Sequence, residues 1–259
     1  MTARRGFIDE PVVVCDGLTF GYRRTAVLDG VSLRLQTGIT GLLGPNGAGK
    51  STLMDIIATQ RVPWAGSISI AGHPVETDQQ IRWARQRLGY LPQRFDLMAA
   101  SSCRYNVAYA AWCRGVAPKD CWAAADQALA VVNLGERAAD KVGALSGGQK
   151  QRLGIACAIA HQPAVLLLDE PTVGLDPAQR IEMRHYLSVI AAQTCVLLST
   201  HIVDDLSLLS AQVIVLDKGA IRFTGSVSDF QARATATADG VGTLESAYLA
   251  VLGGEPSNV

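Results

Sequence analysis

The stretch GPNGAGKST, Gly44 to Thr52, constrains the fold of this chain more than any other. It fits G-x-x-x-x-G-K-[ST] at every fixed position and lies between a strand pattern, ITGLLG, and a helical one, KSTLMDIIATQ. A strand turning through glycines into a helix leaves free backbone N–H groups at the helix start, where the helix dipole favours an anion. Gly44, Gly47 and Gly49 let the backbone wrap close to phosphate oxygens. Lys50 offers a charge to the β- and γ-phosphates, and Ser51 offers a hydroxyl to Mg²⁺. Pro45, Asn46, Ala48 and Thr52 complete the expected phosphate loop.

A second element is expected on a neighbouring strand: an acid for the metal. AVLLLDE supplies it, because its apolar residues drive a strand through the core and Asp169 emerges at the carboxyl end. Ligands of open parallel sheets gather at that edge. Glu170 follows directly. The metal needs one acid, which leaves the other to polarise an attacking water, an effect of about 10²–10⁴-fold in rate for a placed general base. TCVLLSTH ends another apolar strand at His201, a candidate contact for the γ-phosphate. On the same reasoning Gln93 in GYLPQ is a candidate contact for Mg²⁺ or the water. His73, His161 and His185 lack such placement and read as structural.

Short apolar runs alternate with helical patterns over the 259 residues. GSISIAG reads as a short strand closed by a turn, AGHP, and AVLLLDE, TCVLLST and QVIVLDKG as strands further on. Continuous apolar strands bounded by helices imply a parallel sheet covered on both faces. Between Arg94 and Lys150 the strand signal vanishes and alanine-rich helical stretches such as WAAADQALAVVNL take over, which reads as a helical subdomain inserted into an α/β core. A tail from Ser226 carries an apolar helix, LESAYLAVL. Formal net charge is zero, which argues against a nucleic-acid partner. The N-terminal MTARRGFIDEP has no signal-peptide pattern, and no apolar run reaches the ~18 residues of a membrane span, so a soluble chain is expected. The six cysteines form no CxxC pair and read as small buried or half-buried thiols.

LSGGQ, Leu145 to Gln149, is a second glycine-rich loop that opens a helix, KQRLGIACAIA. It has the Ser146 hydroxyl but no lysine. A helix N-terminus gives an anion only about 0.3–1 kcal/mol, up to ~2 when partly buried. That is too little to hold a triphosphate against water. The loop makes sense as half of a site that closes over a phosphate bound elsewhere, one candidate being the Gly44–Thr52 loop of another copy.

GPNGAGKST, YLPQ, LSGGQ, LLLDEP, GLDP and STH, in this order, resemble the nucleotide-binding subunit of an ABC transporter. The similarity runs from LTFGY to about Gly225. It implies a P-loop NTPase (RecA-like) α/β core with a mostly parallel sheet, an N-terminal antiparallel β part and an inserted helical subdomain. Residues 1–93 would form the first part of the core, 94–151 the helical subdomain with its signature loop, 152–225 the second part and 226–259 the tail. The resemblance also implies ATP and Mg²⁺ as ligands, a head-to-tail dimer on ATP binding, and a membrane permease as partner. In that dimer Ser146, Gly147, Gly148 and Gln149 act in trans, Asp176 is the interface aspartate coupling the two sites, and Tyr22 stacks on adenine. The segment after Gln93, RFDLMAASSCRYNVAYAAW, is where the family meets its membrane partner, with Phe95, Leu97, Met98 and Tyr105 as candidate docking residues. The expected location is cytoplasmic, peripheral on the inner face of the cell membrane.

GYLPQ, DEPTVGLDP, STHIVDDL and LESAYLAVL are similar to the bacterial subfamily of drug, antibiotic and polysaccharide exporters, whose permease is a separate chain. The expected function is ATP hydrolysis powering export. The alternatives are an importer subunit, a non-transport ATPase of this superfamily acting on ribosomes or DNA, and a module that binds ATP without turnover. Relatives on ribosomes carry tandem ATPase domains and DNA-repair relatives a long coiled coil, and neither is present here. Degenerate members lose the catalytic glutamate or histidine, whereas Glu170 and His201 are both present.

Overall fold

The apolar runs become the centre of a six-stranded sheet. A computed structural model describes residues 12–200, 212–234 and 244–253. Within them the elements run β1 (Val13–Tyr22), β2 (Thr25–Leu35), β3 (Gly38–Leu43), α1 (Lys50–Ile57), β4 (Ala65–Ile70), β5 (His73–Pro74), α2 (Asp78–Arg85) and β6 (Leu88–Leu91). They continue as α3 (Cys103–Cys113), α4 (Cys121–Val131), α5 (Gly147–Ile159), β7 (Val165–Asp169), α6 (Pro177–Ala191) and β8 (Cys195–Ser199). Last come β9 (Gln212–Asp217), β10 (Ala220–Ser226), α7 (Val227–Gln231) and α8 (Leu244–Gly253).

The main sheet has the order β10-β9-β3-β8-β7-β6, parallel throughout except for the antiparallel edge strand β10. Side chains alternate between its faces because successive Cβ atoms of a strand point opposite ways. Leu166 and Leu168 of β7 and Val196 and Leu198 of β8 join a core with helices α3 to α6. Val165 and Leu167, with Cys195 and Leu197, join the opposite core against α1, β1 and β2. Each face is thus covered, which is why these strands read as unbroken apolar runs.

The second core is closed by an antiparallel sheet of order β2-β1-β4-β5. In β2 the residues Val31, Leu33 and Leu35 are buried while Ser32 and Arg34 between them are exposed. The architecture is therefore the α/β one expected, with a mostly parallel core sheet and an N-terminal antiparallel part. One local reading changes. In AGHP only Ala71 and Gly72 make the turn, and His73 and Pro74 pair with Ile70 and Ser69 as the short edge strand β5. An edge position suits proline, which has no N–H to donate.

Between 94 and 146 the regular structure is helical, joined by turns, apart from an isolated bridge, Ser102 to Lys141. Alanines let α3 and α4 pack closely: Ala108, Ala111, Ala125 and Ala128 are buried in the same core as Leu129, Leu153 and Ala156. Of the four candidate docking residues, Phe95 and Leu97 are half-buried against that core. Met98 and Tyr105 are exposed as expected, at 38% and 45%. Asn106 explains the local chain path. It is buried, its Oδ1 accepts from Met98 N at 2.8 Å, and its Nδ2 donates to Ser102 O at 2.9 Å.

Candidate functional site

The carboxyl ends of four parallel strands converge. β3 leads into the Gly44–Thr52 loop, β6 into Gln93, β7 ends on Asp169 and β8 on Ser199, which is Asp169's register partner.

Gly49 is the last residue before α1 and has φ of 107°, in the left-handed region that glycine tolerates. A Cβ there would lie 2.8 Å from the Leu28 side chain. No side chain caps α1, so its first N–H groups remain for an anion. Lys50 is 6% exposed and folds back, its Nζ donating to Gly44 O at 2.6 Å and Pro45 O at 3.2 Å. Burial pushes the Lys50 ammonium below its ordinary value, and Glu170 and Asp169 push it back up. A cation held this deep favours a further anion beside it.

The two acids are ordered by one hydroxyl. Ser199, fully buried, donates from Oγ to Asp169 Oδ1 at 2.5 Å and accepts the Glu170 N–H at 2.8 Å. Glu170 has φ of 51°, which in a non-glycine residue costs of order 1–3 kcal/mol and is found where the surroundings enforce it. Gln93 reaches across, its Nε2 donating to Glu170 Oε2 at 3.0 Å. Ser199 was not a sequence candidate. The available signal was its place at a strand end beside the acid strand, overshadowed by the histidine two residues on. His201 itself lies outside the described residues.

Tyr22, Val27, Pro45, Asn46, Gly47, Gly49, Lys50, Ser51, Thr52, Gln93 and Glu170 enclose one cleft of ≈ 510 Å³. Gly44 and Ala48 are buried behind it and anchor the loop: Ala48 O accepts from Gly219 N at 3.1 Å. Tyr22 is 44% exposed, with its hydroxyl 3.4 Å from Thr52 Oγ1. The cleft offers the Ser51 hydroxyl and the Gln93 amide oxygen, the amide nitrogen being turned to Glu170, while the Asp169 carboxylate is buried off the cleft wall and accepts from Ser199. Hard oxygen donors of this kind fit Mg²⁺, which is held by few protein groups together with substrate phosphates.

Ser146, Gly147, Gly148, Gln149 and Asp176 are absent from the cleft wall. They form a second cluster, at the start of α5 and α6. Ser146 caps α5, its Oγ accepting from Gln149 N at 3.3 Å while Gln149 Oε1 accepts from Ser146 N at 2.9 Å. Asp176 caps α6 through Gln179 N at 2.9 Å. The Gln179 side chain fills the space over Gly148, where an added Cβ would meet its Oε1 at 2.5 Å, whereas Gly147 faces open space. The two helix starts thus pack together, with the signature loop presented outward.

Strand, loop, helix and acid strand in this topology define a P-loop NTPase core. The family model described as ABC transporter matches residues 28–173, more than half of the chain. The chain belongs to the ABC transporter family. Among curated proteins, Nod factor export ATP-binding protein I of Burkholderia thailandensis is 40% identical over 200 residues, 76% of this chain and 65% of that protein. Methionine import ATP-binding protein MetN of Brucella abortus is 36% identical over 222 residues, 84% of this chain and 60% of that protein. The matched regions thus span less than two thirds of both relatives. Among solved structures, one titled as the ATP binding subunit of an ABC transporter matches with TM-score 0.80 at 25% identity, covering 93% of this chain and 99% of that one. The structure titled cbiO1 from Clostridium perfringens, part of the complex cbiONQ, matches with TM-score 0.77 at 26% identity, covering 86% and 92%.

Proposed function

We propose that this chain is the ATP-binding and ATP-hydrolysing subunit of an ABC exporter, working on a separate membrane permease as a dimer that closes on ATP. The observation that carries this reading is the joining of Lys50, Gln93 and Glu170 in one cleft while the Ser146–Gln149 loop faces outward elsewhere. The cleft holds the means of binding and hydrolysis, and the outward loop is free to complete the cleft of a second copy.

The roles follow from the geometry. Tyr22 offers its ring to the base, since base–aromatic stacking contributes about 1–3 kcal/mol in nucleic-acid complexes. The N–H groups of the loop and of α1 hold the phosphates, and Lys50 neutralises the β- and γ-oxygens. Ser51, Asp169 and Gln93 would hold Mg²⁺, which when bound neutralises charge developing on the phosphate oxygens. Glu170, aimed by Ser199 and Gln93, takes the proton of the attacking water. His201 is assigned to the γ-phosphate. Ser146, Gly147, Gly148 and Gln149 of the second copy close over the triphosphate, and Asp176 couples the two sites.

A separate permease is the proposed membrane partner, and no helix among the described residues is long and apolar enough to cross a membrane. We assign permease docking to a groove of ≈ 340 Å³ lined among others by Phe95, Met98, Asn106 and Tyr109. Export is favoured by the 40% identity to the Nod factor export protein. The 36% identity to the methionine import protein supports import as the second reading. The subunit would sit in the cytoplasm, peripheral to the inner face of the membrane.

The test is phosphate release by the purified chain with Mg²⁺ and ATP. Glu170→Gln is expected to keep ATP affinity and lose about 10²-fold or more in turnover. Lys50→Ala is expected to lose most ATP affinity. Near-normal turnover by Glu170→Gln would remove the carboxylate from catalysis.

A further inference from the structure

Tyr22 does not stand alone at the cleft mouth. The Arg61 guanidinium lies over its ring, 4.9 Å from the centroid, and Phe20 meets it edge-on with centroids 5.4 Å apart. Tyr22 lines the cleft, whereas Arg61 lines a different groove with Thr59, Val62 and Pro63, which sets the guanidinium off the cleft side. Arg61 is fixed there by Asp55, whose Oδ2 accepts from Arg61 Nε at 2.8 Å. The other oxygen of Asp55 accepts from the Tyr90 hydroxyl at 3.0 Å. Asp55 belongs to α1, the helix that opens at the phosphate loop, and Tyr90 to β6, the strand that leads to Gln93.

We propose that Arg61 is a positioning residue for the base: its guanidinium backs the Tyr22 ring, so that a purine stacking on the cleft side completes a three-layer stack tied through Asp55 to the phosphate-loop helix. This rests on Tyr22 being the base platform. The physical reason is twofold. A cation against one face restrains a half-exposed ring that is otherwise oriented by the edge-on Phe20 ring and a long hydroxyl contact to Thr52. It also draws electron density from the ring, which favours stacking of an electron-rich purine on the opposite face. The Asp55 carboxylate between Arg61 and Tyr90 keeps the guanidinium plane from following the solvent.

The experiment compares ATP with inorganic tripolyphosphate, which has the phosphates and no base. Arg61→Ala is expected to raise Kd and KM for ATP about three- to tenfold, with kcat at saturation nearly unchanged. Tripolyphosphate affinity is expected to stay at the wild-type value. Arg61→Lys, which keeps the cation and its Asp55 partner, should recover most of the loss. In a Tyr22→Ala background, Arg61→Ala should add nothing further. Should Arg61→Ala be too unstable to assay, Arg61→Gln removes the charge while keeping a donor for Asp55 and carries the same comparison. Equal loss of ATP and tripolyphosphate affinity, or an undiminished effect of Arg61→Ala beside Tyr22→Ala, would make the role structural and overturn the proposal. If Tyr22→Ala weakens ATP binding and Arg61→Ala does not, the Arg61 proposal alone fails. If Tyr22→Ala leaves ATP binding at the wild-type value, the platform reading fails and takes the proposal with it.

Discussion

His161 marks the difference between a residue that serves the site and one that serves the fold. Its Nε2 is 3.1 Å from Leu88 O, at the start of the strand leading to Gln93, while Nδ1 is buried with no hydrogen-bond partner among the described residues. Burial, with Arg114 nearby, lowers its value from 6.5 to about 4. The neutral ring is therefore the folded form, and the unfolded chain takes up a proton first as pH falls. Stability is lost from about pH 6.5 downward and the loss is complete below about pH 4. Between pH 7 and pH 5 the contribution is about 2 kcal/mol. Denaturant melts at the two pH values are expected to converge by about that amount in His161→Gln relative to the wild type. An unchanged pH dependence in the variant would place the titration elsewhere. The sequence made His161 legible as structural because it lacks a strand-end position. Asp169 and Glu170 were legible for the opposite reason. Ser199 was not, since a hydroxyl becomes informative only when the sheet order puts it beside the acids. Nor was the Asp55–Arg61 pair, whose meaning depends on two strands and a helix meeting. The buried Cys15 and Cys195 and the half-buried Cys157 carry no chemistry of this kind, their thiols being pushed up to about 12 by desolvation.

At the scale of elements, the unbroken apolar strands and the glycine loops carried most of the fold in sequence. Helix α2 had its own signal, Thr77 with Gln80 as a capping box, but few apolar residues to complete a pattern. The helical block was legible as helices, whereas the facing of its residues was not, because an alanine-rich helix has little amphipathic contrast. Phe95, a candidate docking residue in sequence, packs against Gly154, where an added Cβ would meet its ring at 2.8 Å. This changes the docking experiment. A charge at Phe95 would disturb α5 and with it the signature loop, so lost transport there would be uninformative. Met98, 38% exposed on the groove, is the cleaner position. Met98→Glu is expected to leave ATP hydrolysis by the isolated subunit within about twofold, as surface substitutions away from special features usually do. Capture of the permease should fall, since a buried unpaired charge at an interface is costly. Undiminished capture and transport would move the docking surface off this groove.

On the proposed reading, the whole molecule presents two halves of one reaction site on different elements. The cleft between the Gly44–Thr52 loop and Glu170 faces one way, and the starts of α5 and α6 offer Ser146, Gly147 and Asp176 outside it. A single chain can therefore bind nucleotide, but on the proposed reading it needs a second to hydrolyse it. Glu170→Gln with Mg²⁺ and ATP is expected to accumulate as a dimer, because closure is allowed and the hydrolysis that reopens it is slowed. Adding Ser146→Arg should return the protein to a monomer under the same conditions. An arginine at the cap of α5 removes the bond to Gln149 N and puts a long side chain where a second copy's phosphates would approach. ATP affinity of the monomer should be unaffected by Ser146→Arg, since Ser146 does not touch the cleft. Light scattering gives the mass and equilibrium dialysis the affinity in one buffer. If Ser146→Arg weakens monomer ATP binding as much as Lys50→Ala does, the two halves belong to one chain's site and the composite reading is wrong. If the double variant still dimerises with ATP, the copies meet through another surface, and the signature loop has a different partner.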